Sequence, residues 1–575
     1  MDHSIKIGGE AGQGIQTIGD TLAKVFSRSG YHVFTHQDYE SRIRGGHNFY
    51  QIRFSDKAVA ASRAKIDIIV AFDKASITVH EKELSEEGHI VYDSSALKEK
   101  YEKPEFLDIP FVNLANESGG GKIMANTVAV GAVLGMLGIE LDILFGILEE
   151  TFKKKGESIV EMNKKAAESG RDFASEHCPG CASFTAAPPG KPKLLINAVE
   201  AIATGAISAG CKFYSAYPMT PSTGIMLFLN ARTLEHGVVV EQAEDEIAAI
   251  NMALGASFGG VRAMTGTSGG GFALMVEGLS LAAMTETPIV IALGQRPGPA
   301  TGFPTRTEQG ELLFAYHAAH GEFPRVIFAP GTPVEAFYLT NKAFDLAERF
   351  QIPAFILFDH YLADSSWTFE DFDPERIKFR DYRLRGEAFR QLSEYKRHAF
   401  TESGVSPLGV PGDSKHLVVT DSDEHDEEGH IVEDAETRNR MVEKRLLKKM
   451  PLLRKEIEPP LLYGDNNPDV VIAGFGSTYG AIREAVDHNS LNKKIALLHF
   501  AEVCPFPLRE EFDYLRVLQN ARLTVCVENN ATGQFARLVR AETGFDFREH
   551  IRKYDGRPFL LEELAGEIDD KIRRL

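Results

Sequence analysis

The chain has 575 residues, 43% hydrophobic and 25% charged, with a formal charge of −19. The acidic balance argues against nucleic acid, whose phosphates call for a basic face. Five cysteines in this length make no disulfide scaffold, and no basic amino-terminal segment leads into an apolar stretch, so a cytoplasmic protein without a signal peptide is expected.

Length sets an expectation of about three to five domains. Residues 1–175 read as one α/β unit. A strand, His3 to Ile7, enters Gly8-Gly9-Glu10-Ala11-Gly12-Gln13-Gly14, followed by a helix, Ile15 to Ser29, and a strand, Tyr31 to Thr35. Glycines at a strand-to-helix turn let backbone amides approach an anion; they serve equally to pack the helix on the sheet. Arg42-Ile43-Arg44-Gly45-Gly46-His47 reads as a phosphate-facing cluster or as a solvated loop. The most apolar run, Ile123 to Ile139, is glycine-rich, carries Asn126 and is short for a span, so a buried helix is expected and no membrane partner.

Residues 176–193 read as a linker holding Cys178-Pro179-Gly180-Cys181. Two cysteines are half a metal site. Cys211, Cys504 and Cys526 lie in apolar strand-like settings and read as core. No metal or cluster is therefore expected in this chain; a redox-labile or partner-facing pair is the alternative.

Residues 194–375 alternate helix and strand. The expected elements are helix Leu194 to Ala209, strand Lys212 to Ala216, strand Val238 to Val240, helix Glu246 to Phe258, strand Arg262 to Thr265, strand Pro288 to Gly294 and strand Ala354 to Asp359. This pattern specifies a parallel, doubly covered sheet. Four strands end in polar or glycine-rich loops: Tyr217-Pro218-Met219-Thr220-Pro221-Ser222-Thr223, Glu241 to Glu246, Gly266-Thr267-Ser268-Gly269-Gly270-Gly271, and Gln295-Arg296-Pro297-Gly298-Pro299. In open α/β sheets ligands bind beyond such strand ends. The loops bring a hydroxyl (Thr220), carboxylates (Glu244, Glu246), a hydroxyl loop (Thr267, Ser268) and a guanidinium suited to a carboxylate (Arg296) to one edge. Taken singly, Thr220 also reads as part of a helix cap, Glu246 as first-turn charge compensation and Arg296 as a surface ion pair.

Residues 376–465 are charged and weakly patterned. Asp421 to Glu428 holds six acidic residues around His425 and reads as a solvated interdomain or docking segment, with a metal site as the alternative. Asp434 to Lys449 reads as an amphipathic helix. Residues 466–575 form a third α/β unit, with strands Asp469 to Ala473, Lys494 to Phe500 and Leu523 to Glu528 and a helix Tyr479 to Val486.

These strings resemble the 2-oxoacid:ferredoxin oxidoreductases. The carriers are Tyr217-Pro218-Met219-Thr220-Pro221-Ser222, the Glu246 helix ending in Gly255-Ala256, Thr267-Ser268-Gly269, and Gln295-Arg296 with Gly298-Pro299 and Thr301-Gly302. Gly12-Gln13-Gly14 and Arg44-Gly45-Gly46 resemble the gamma domain, fused here ahead of the alpha subunit. Met219 stands where isoleucine is usual and Gly270 where proline is common; neither removes a polar group. The resemblance implies three α/β domains: a gamma-type domain, a thiamine-diphosphate pyrimidine-type parallel-sheet domain and a carboxyl-terminal transketolase-like domain.

By that resemblance Glu246 hydrogen-bonds the aminopyrimidine ring of thiamine diphosphate, with Glu244 as the close alternative, and Pro218, Thr267 and Ser268 line the cofactor. Thr220 and Arg296 hold the carboxylate and keto oxygens of a 2-oxoacid. A second substrate carboxylate would need further groups, for which Ser222, Thr223, Arg42 and Arg44 are candidates. No Gly-Asp-Gly string for a Mg²⁺–diphosphate site is present, so the resemblance implies a separate beta subunit bringing Mg²⁺ and a [4Fe–4S] cluster, in a dimer of alpha–beta units. CoA is the acyl acceptor and ferredoxin the electron acceptor. The fused arrangement and the acidic Glu424 to Glu428 segment resemble 2-oxoglutarate enzymes more than pyruvate enzymes. A nucleotide-binding electron-transfer subunit and a non-catalytic acyl-CoA-binding scaffold are the competing readings.

Overall fold

The computed structural model describes residues 1–42, 45–178, 190–488, 491 and 493–574. They form two compact units. The first holds residues 1–196 together with 364–371 and 560–564; the second holds 197–363, 372–559 and 565–575.

The first unit is built on an eight-stranded sheet in the order Phe106–Asp108, Leu84–Tyr92, Ile66–Ala71, Asp2–Ala11, Gly45–Ser55, His32–Asp38, Ser366–Phe369 and Leu194–Asn197. Its first strand runs on through Gly8 and Gly9 to Ala11. The expected glycine loop is therefore confined to Gly12–Gly14, where Gly12 and Gly14 take φ of 93° and 78°. Gly8 and Gly9 pair with Phe49 and Asn48 in the sheet, and no side chain fits at either: a Cβ on Gly8 would meet Ser76 and one on Gly9 would meet Gln13 and Ile15. The apolar run forms the buried helix Ala125–Met136. It lies against helix Glu157–His177 at backbone contact, since a Cβ on Gly131 would fall 2.0 Å from the Ala167 carbonyl.

The second unit carries two sheets. One has seven strands in the order Glu502–Cys504, Val326–Phe328, Pro353–Asp359, Ile289–Gln295, Arg262–Ser268, Cys211–Ala216 and Val239–Gln242. All its pairings are parallel except that of Glu502–Cys504. The other has five strands, Leu461–Gly464, Ile495–Phe500, Val470–Phe475, Leu523–Glu528 and Glu549–Arg552. One apolar core joins the two, running from Ile250 and Phe272 to Phe475 and Val539.

Two expectations are corrected. Leu194–Asn197 is a strand of the first unit's sheet, and the helix begins at Ala198, where Asn197 Oδ1 accepts the Glu200 N–H at 2.9 Å. The segment 376–465 is not a solvated arm: Arg397, His398, His425, Lys444 and Lys449 are each 2% exposed or less. Its helix Ala435–Val442 continues as a π-helical stretch, Glu443–Lys448, and a further α-helix, Lys449–Arg454. This geometry turns the lysines inward onto Glu286.

Candidate active site

Beyond strand Cys211–Ala216 the chain turns sharply. Ser222 donates both its backbone N–H (2.9 Å) and its hydroxyl (2.8 Å) to the Met219 carbonyl, and Thr220–Pro221 is a cis peptide. Ser222 is thus consumed by the turn, and Thr223 opens helix Thr223–Asn230. Pro218 and Thr220 are half-buried. The turn is pinned from the next strand but one: Arg296 Nη1 donates to the Thr220 carbonyl at 2.8 Å. Arg296 follows strand Ile289–Gln295 and is 9% exposed. Burial pulls its guanidinium down from the ordinary arginine range, and Glu311 acts against that.

Glu246 is the first residue of helix Glu246–Phe258, whose start is set by Asp245 accepting the Ala248 N–H at 2.7 Å. That cap turns Glu246 inward to 4% exposure and leaves Glu244 exposed. The Glu246 Oε1 atom is closed from solvent and has no hydrogen-bond partner. Thr267 and Ser268 end strand Arg262–Ser268 and are fully buried, and Ser268 Oγ is also without a partner. A Cβ on Gly271 would fall 2.2 Å from Thr267 Oγ1 and 2.4 Å from Glu246 Oε1, so these two side chains meet over that glycine. A buried polar atom without a partner calls for an explanation, and a bound ligand is one.

The structure therefore joins Thr220 to Arg296, and Glu246 to Thr267, at the ends of neighbouring strands. Arg42 lies in the first unit, exposed and ion-paired to Glu40 at 2.8 Å. Arg44 and Cys181 fall outside the described residues. Cys211, Cys504 and Cys526 are buried free thiols, the first two pushed up to about 12 by burial. Among the described residues no group of His, Cys, Asp and Glu is arranged to hold a metal, and no helix is long and apolar enough to cross a membrane.

Residues 204–444 match the family model described as pyruvate flavodoxin/ferredoxin oxidoreductase, thiamine diphosphate-binding, and residues 4–173 match the pyruvate ferredoxin/flavodoxin oxidoreductase model. The chain is 32% identical to the 2-oxoacid:ferredoxin oxidoreductase subunit alpha of a Sulfolobus species, over 100% of this chain and 97% of that one. The chain belongs to the 2-oxoacid:ferredoxin oxidoreductases, as an alpha subunit.

Among solved structures, a 2-oxoglutarate:ferredoxin oxidoreductase from Magnetococcus marinus, with 2-oxoglutarate, coenzyme A and succinyl-CoA bound, superposes with a TM-score of 0.89. The two are 30% identical, over 99% of each chain. The 2-oxoglutarate oxidoreductase subunit KorA of Mycobacterium tuberculosis is 27% identical, over 98% of this chain and 90% of that one.

This oxidoreductase subunit also holds features that sequence reading missed. Glu311 borders the same strand ends. Burial, and then the charge of Glu308, push its carboxyl up to about 8 against the pull of Arg296. Its only signal in the sequence is the acidic pair around Gln309-Gly310, which has no periodicity to read. The first unit has a cavity of about 360 Å³ lined by Gly12, Gln13, Phe72, Asp93, Lys122 and Asn126.

Proposed function

We propose that this chain is the alpha subunit, with a fused gamma domain, of a thiamine-diphosphate-dependent enzyme that oxidatively decarboxylates 2-oxoglutarate. The overall change breaks the C1–C2 bond, releasing CO₂, and forms a thioester between C2 and the CoA sulfur. The thiol loses its proton, and two electrons pass to two one-electron ferredoxins. The carrying observation is that strand ends of one sheet hold a buried carboxylate oxygen without a partner (Glu246) and a guanidinium tied to the threonine turn (Arg296 on Thr220), with Thr267 Oγ1 3.9 Å from Met219 Sδ of that turn.

The residues fit the cofactor. A buried carboxylate oxygen lacking a donor is what a protonated pyrimidine ring nitrogen would satisfy. Thiamine diphosphate, when bound, supplies the electron sink for the cleavage. The chain's own part is placement. Glu246 would accept a hydrogen bond from the protonated ring nitrogen of the pyrimidine and so favour its imino tautomer. Arg296 binds the oxoacid carboxylate, and the Thr220 hydroxyl donates toward its keto oxygen. Thr267 and Ser268 close the crevice floor, with Pro218 at its rim and Glu244 outside it. Ser222 spends its hydroxyl on the turn, whereas the half-buried Thr223 stays a candidate for a second substrate carboxylate.

The remaining parts belong to a beta subunit carrying Mg²⁺ and the [4Fe–4S] cluster, paired as a dimer of alpha–beta units that passes electrons to ferredoxin. Supporting this, the elements around the crevice present exposed apolar side chains: Leu227, Leu234, Val239, Ile247, Met252 and Leu274. Patches of this kind mark protein interfaces. The choice of 2-oxoglutarate is supported by the Mycobacterium and Magnetococcus relatives.

The test is reduction of a low-potential dye by the co-purified complex, with CoA and a panel of 2-oxoacids. The expected result is the highest kcat/KM with 2-oxoglutarate and no reduction by this chain alone. A preference for pyruvate overturns the substrate; nucleotide-driven reduction by the isolated chain overturns the whole reading.

A further inference from the structure

Glu311 takes no part in the chemistry above, yet its loop is held rigidly against the crevice. Gln309 donates its side-chain N–H to the Phe475 carbonyl at 2.8 Å and accepts the Asn529 N–H at 3.0 Å. Gln534 donates to the Gly310 carbonyl at 2.6 Å and accepts the Leu313 N–H at 2.9 Å. The Glu311 N–H is itself given to Gln295 Oε1 at 3.2 Å. Fixed in this way, the carboxyl reaches the first turn of helix Gly269–Met284, where a Cβ on Gly269 would fall 2.5 Å from its Oε1. It also accepts the backbone N–H of Arg296. Its Oε2 is closed from solvent and has no hydrogen-bond partner.

An ionised carboxylate with one oxygen in that state is costly, whereas a protonated one carries no charge to desolvate. The charged groups that face it are Glu308 from its own loop, which disfavours ionisation, and Arg296 from the adjoining strand end, which favours it. The helix start at Gly269 adds a backbone dipole that also favours ionisation. Glu246 borders the same glycine turn on the Gly271 side, and the clamping residues Gln309 and Gln534 are neutral.

We propose that Glu311 is a positioning residue for the 2-oxoacid: a carboxylic acid that keeps its proton, so that the Arg296 charge is left for the substrate carboxylate instead of being neutralised from within the protein. This rests on the reading of Arg296 as the substrate's clamp. Once Glu311 ionises, a second anion stands beside the guanidinium and opposes substrate binding.

The experiment is the pH profile of KM and kcat for 2-oxoglutarate in the co-purified complex at saturating CoA, from pH 6.5 to 9.5. The wild-type KM is expected to be flat near neutrality and to rise toward about tenfold per pH unit past the Glu311 transition, with kcat changing less. Glu311→Gln, neutral at every pH, is expected to lose that rise. Glu308→Gln removes the charge that opposes ionisation and is expected to move the break to lower pH; it decides the matter if Glu311→Gln fails to fold. A wild-type KM flat throughout, a rise that Glu311→Gln retains, or a break that Glu308→Gln leaves in place overturns the inference while the clamp stands. A complex without 2-oxoacid-dependent reduction at any pH overturns the functional reading, and the inference with it.

Discussion

Glu246 shows how one backbone cap decides which of two nearby acids faces the crevice. In Glu244-Asp245-Glu246 the three side chains are chemically near-equivalent, but Asp245 caps the helix and sends Glu246 inward. The sequence left Glu244 and Glu246 as alternatives; the Asp245 cap that separates them comes from the structure. The orphaned state of Oε1 was not legible in the sequence, because it depends on Thr267 and Gly271 arriving from another strand. Replacing the carboxylate with an amide, Glu246→Gln, is expected to slow hydrogen–deuterium exchange at the thiazolium carbon of the bound cofactor, and turnover with it, by about 10²-fold or more. Melting of the complex should change little. Exchange at the wild-type rate, read by quenched-flow NMR, would remove Glu246 from its role. Glu311 escaped sequence reading for the opposite reason: its loop has no helical or strand period, and its environment is assembled from Gly269, Arg296 and Glu308 only in the fold.

Among the elements, the strands and helices facing the crevice were the most readable. Helix Glu246–Phe258 and strand Leu523–Glu528 have the bounds expected from alternation and capping. The misread element, Leu194–Asn197, pairs within a sheet whose other members lie far away in sequence, so no local pattern marks its boundary except Asn197. The glycine turn after strand Arg262–Ser268 has a sharper requirement than its composition conveys. Only Gly271 lets Thr267 and Glu246 approach each other over the helix start. Gly271→Ala is expected to push the Glu246 carboxyl aside and weaken thiamine diphosphate binding by about 10- to 10²-fold, the cost of losing one hydrogen bond to a charged group. Titrating the cofactor into stripped complex checks this; an unchanged affinity would show that Glu246 tolerates the shift.

At the scale of the whole molecule, the charged segment 376–465 is held by a buried acid. Glu286 meets Lys444 and Lys449, and His398 Nδ1 lies 3.0 Å from its Oε2. Burial alone would raise this carboxyl, but the two lysines outweigh it and hold it well below its ordinary value. Lys444 is drawn down to about 7 by burial, against the attraction of Glu286. Composition counts these lysines as solvated charge, and only the π-helical stretch turns them inward; that is why sequence reading took the segment for a solvated arm. Glu286→Gln strands two buried ammonium groups and is expected to cost about 3–5 kcal/mol, lowering the thermal midpoint of the complex by about 5 °C or more. Changing Glu286, Lys444 and Lys449 together to methionine should recover most of that loss in calorimetry. A midpoint unmoved by Glu286→Gln would show that the acid contributes nothing net.

The place of strand Ser366–Phe369 carries a consequence for biogenesis. It sits beside His32–Asp38 in the first unit's sheet, yet it is translated more than three hundred residues later. At roughly 5–20 residues per second, the ribosome takes tens of seconds to deliver it. Through that interval the edge of His32–Asp38 is an open template for unwanted strand addition. A protein released early by a premature stop would leave that edge exposed permanently.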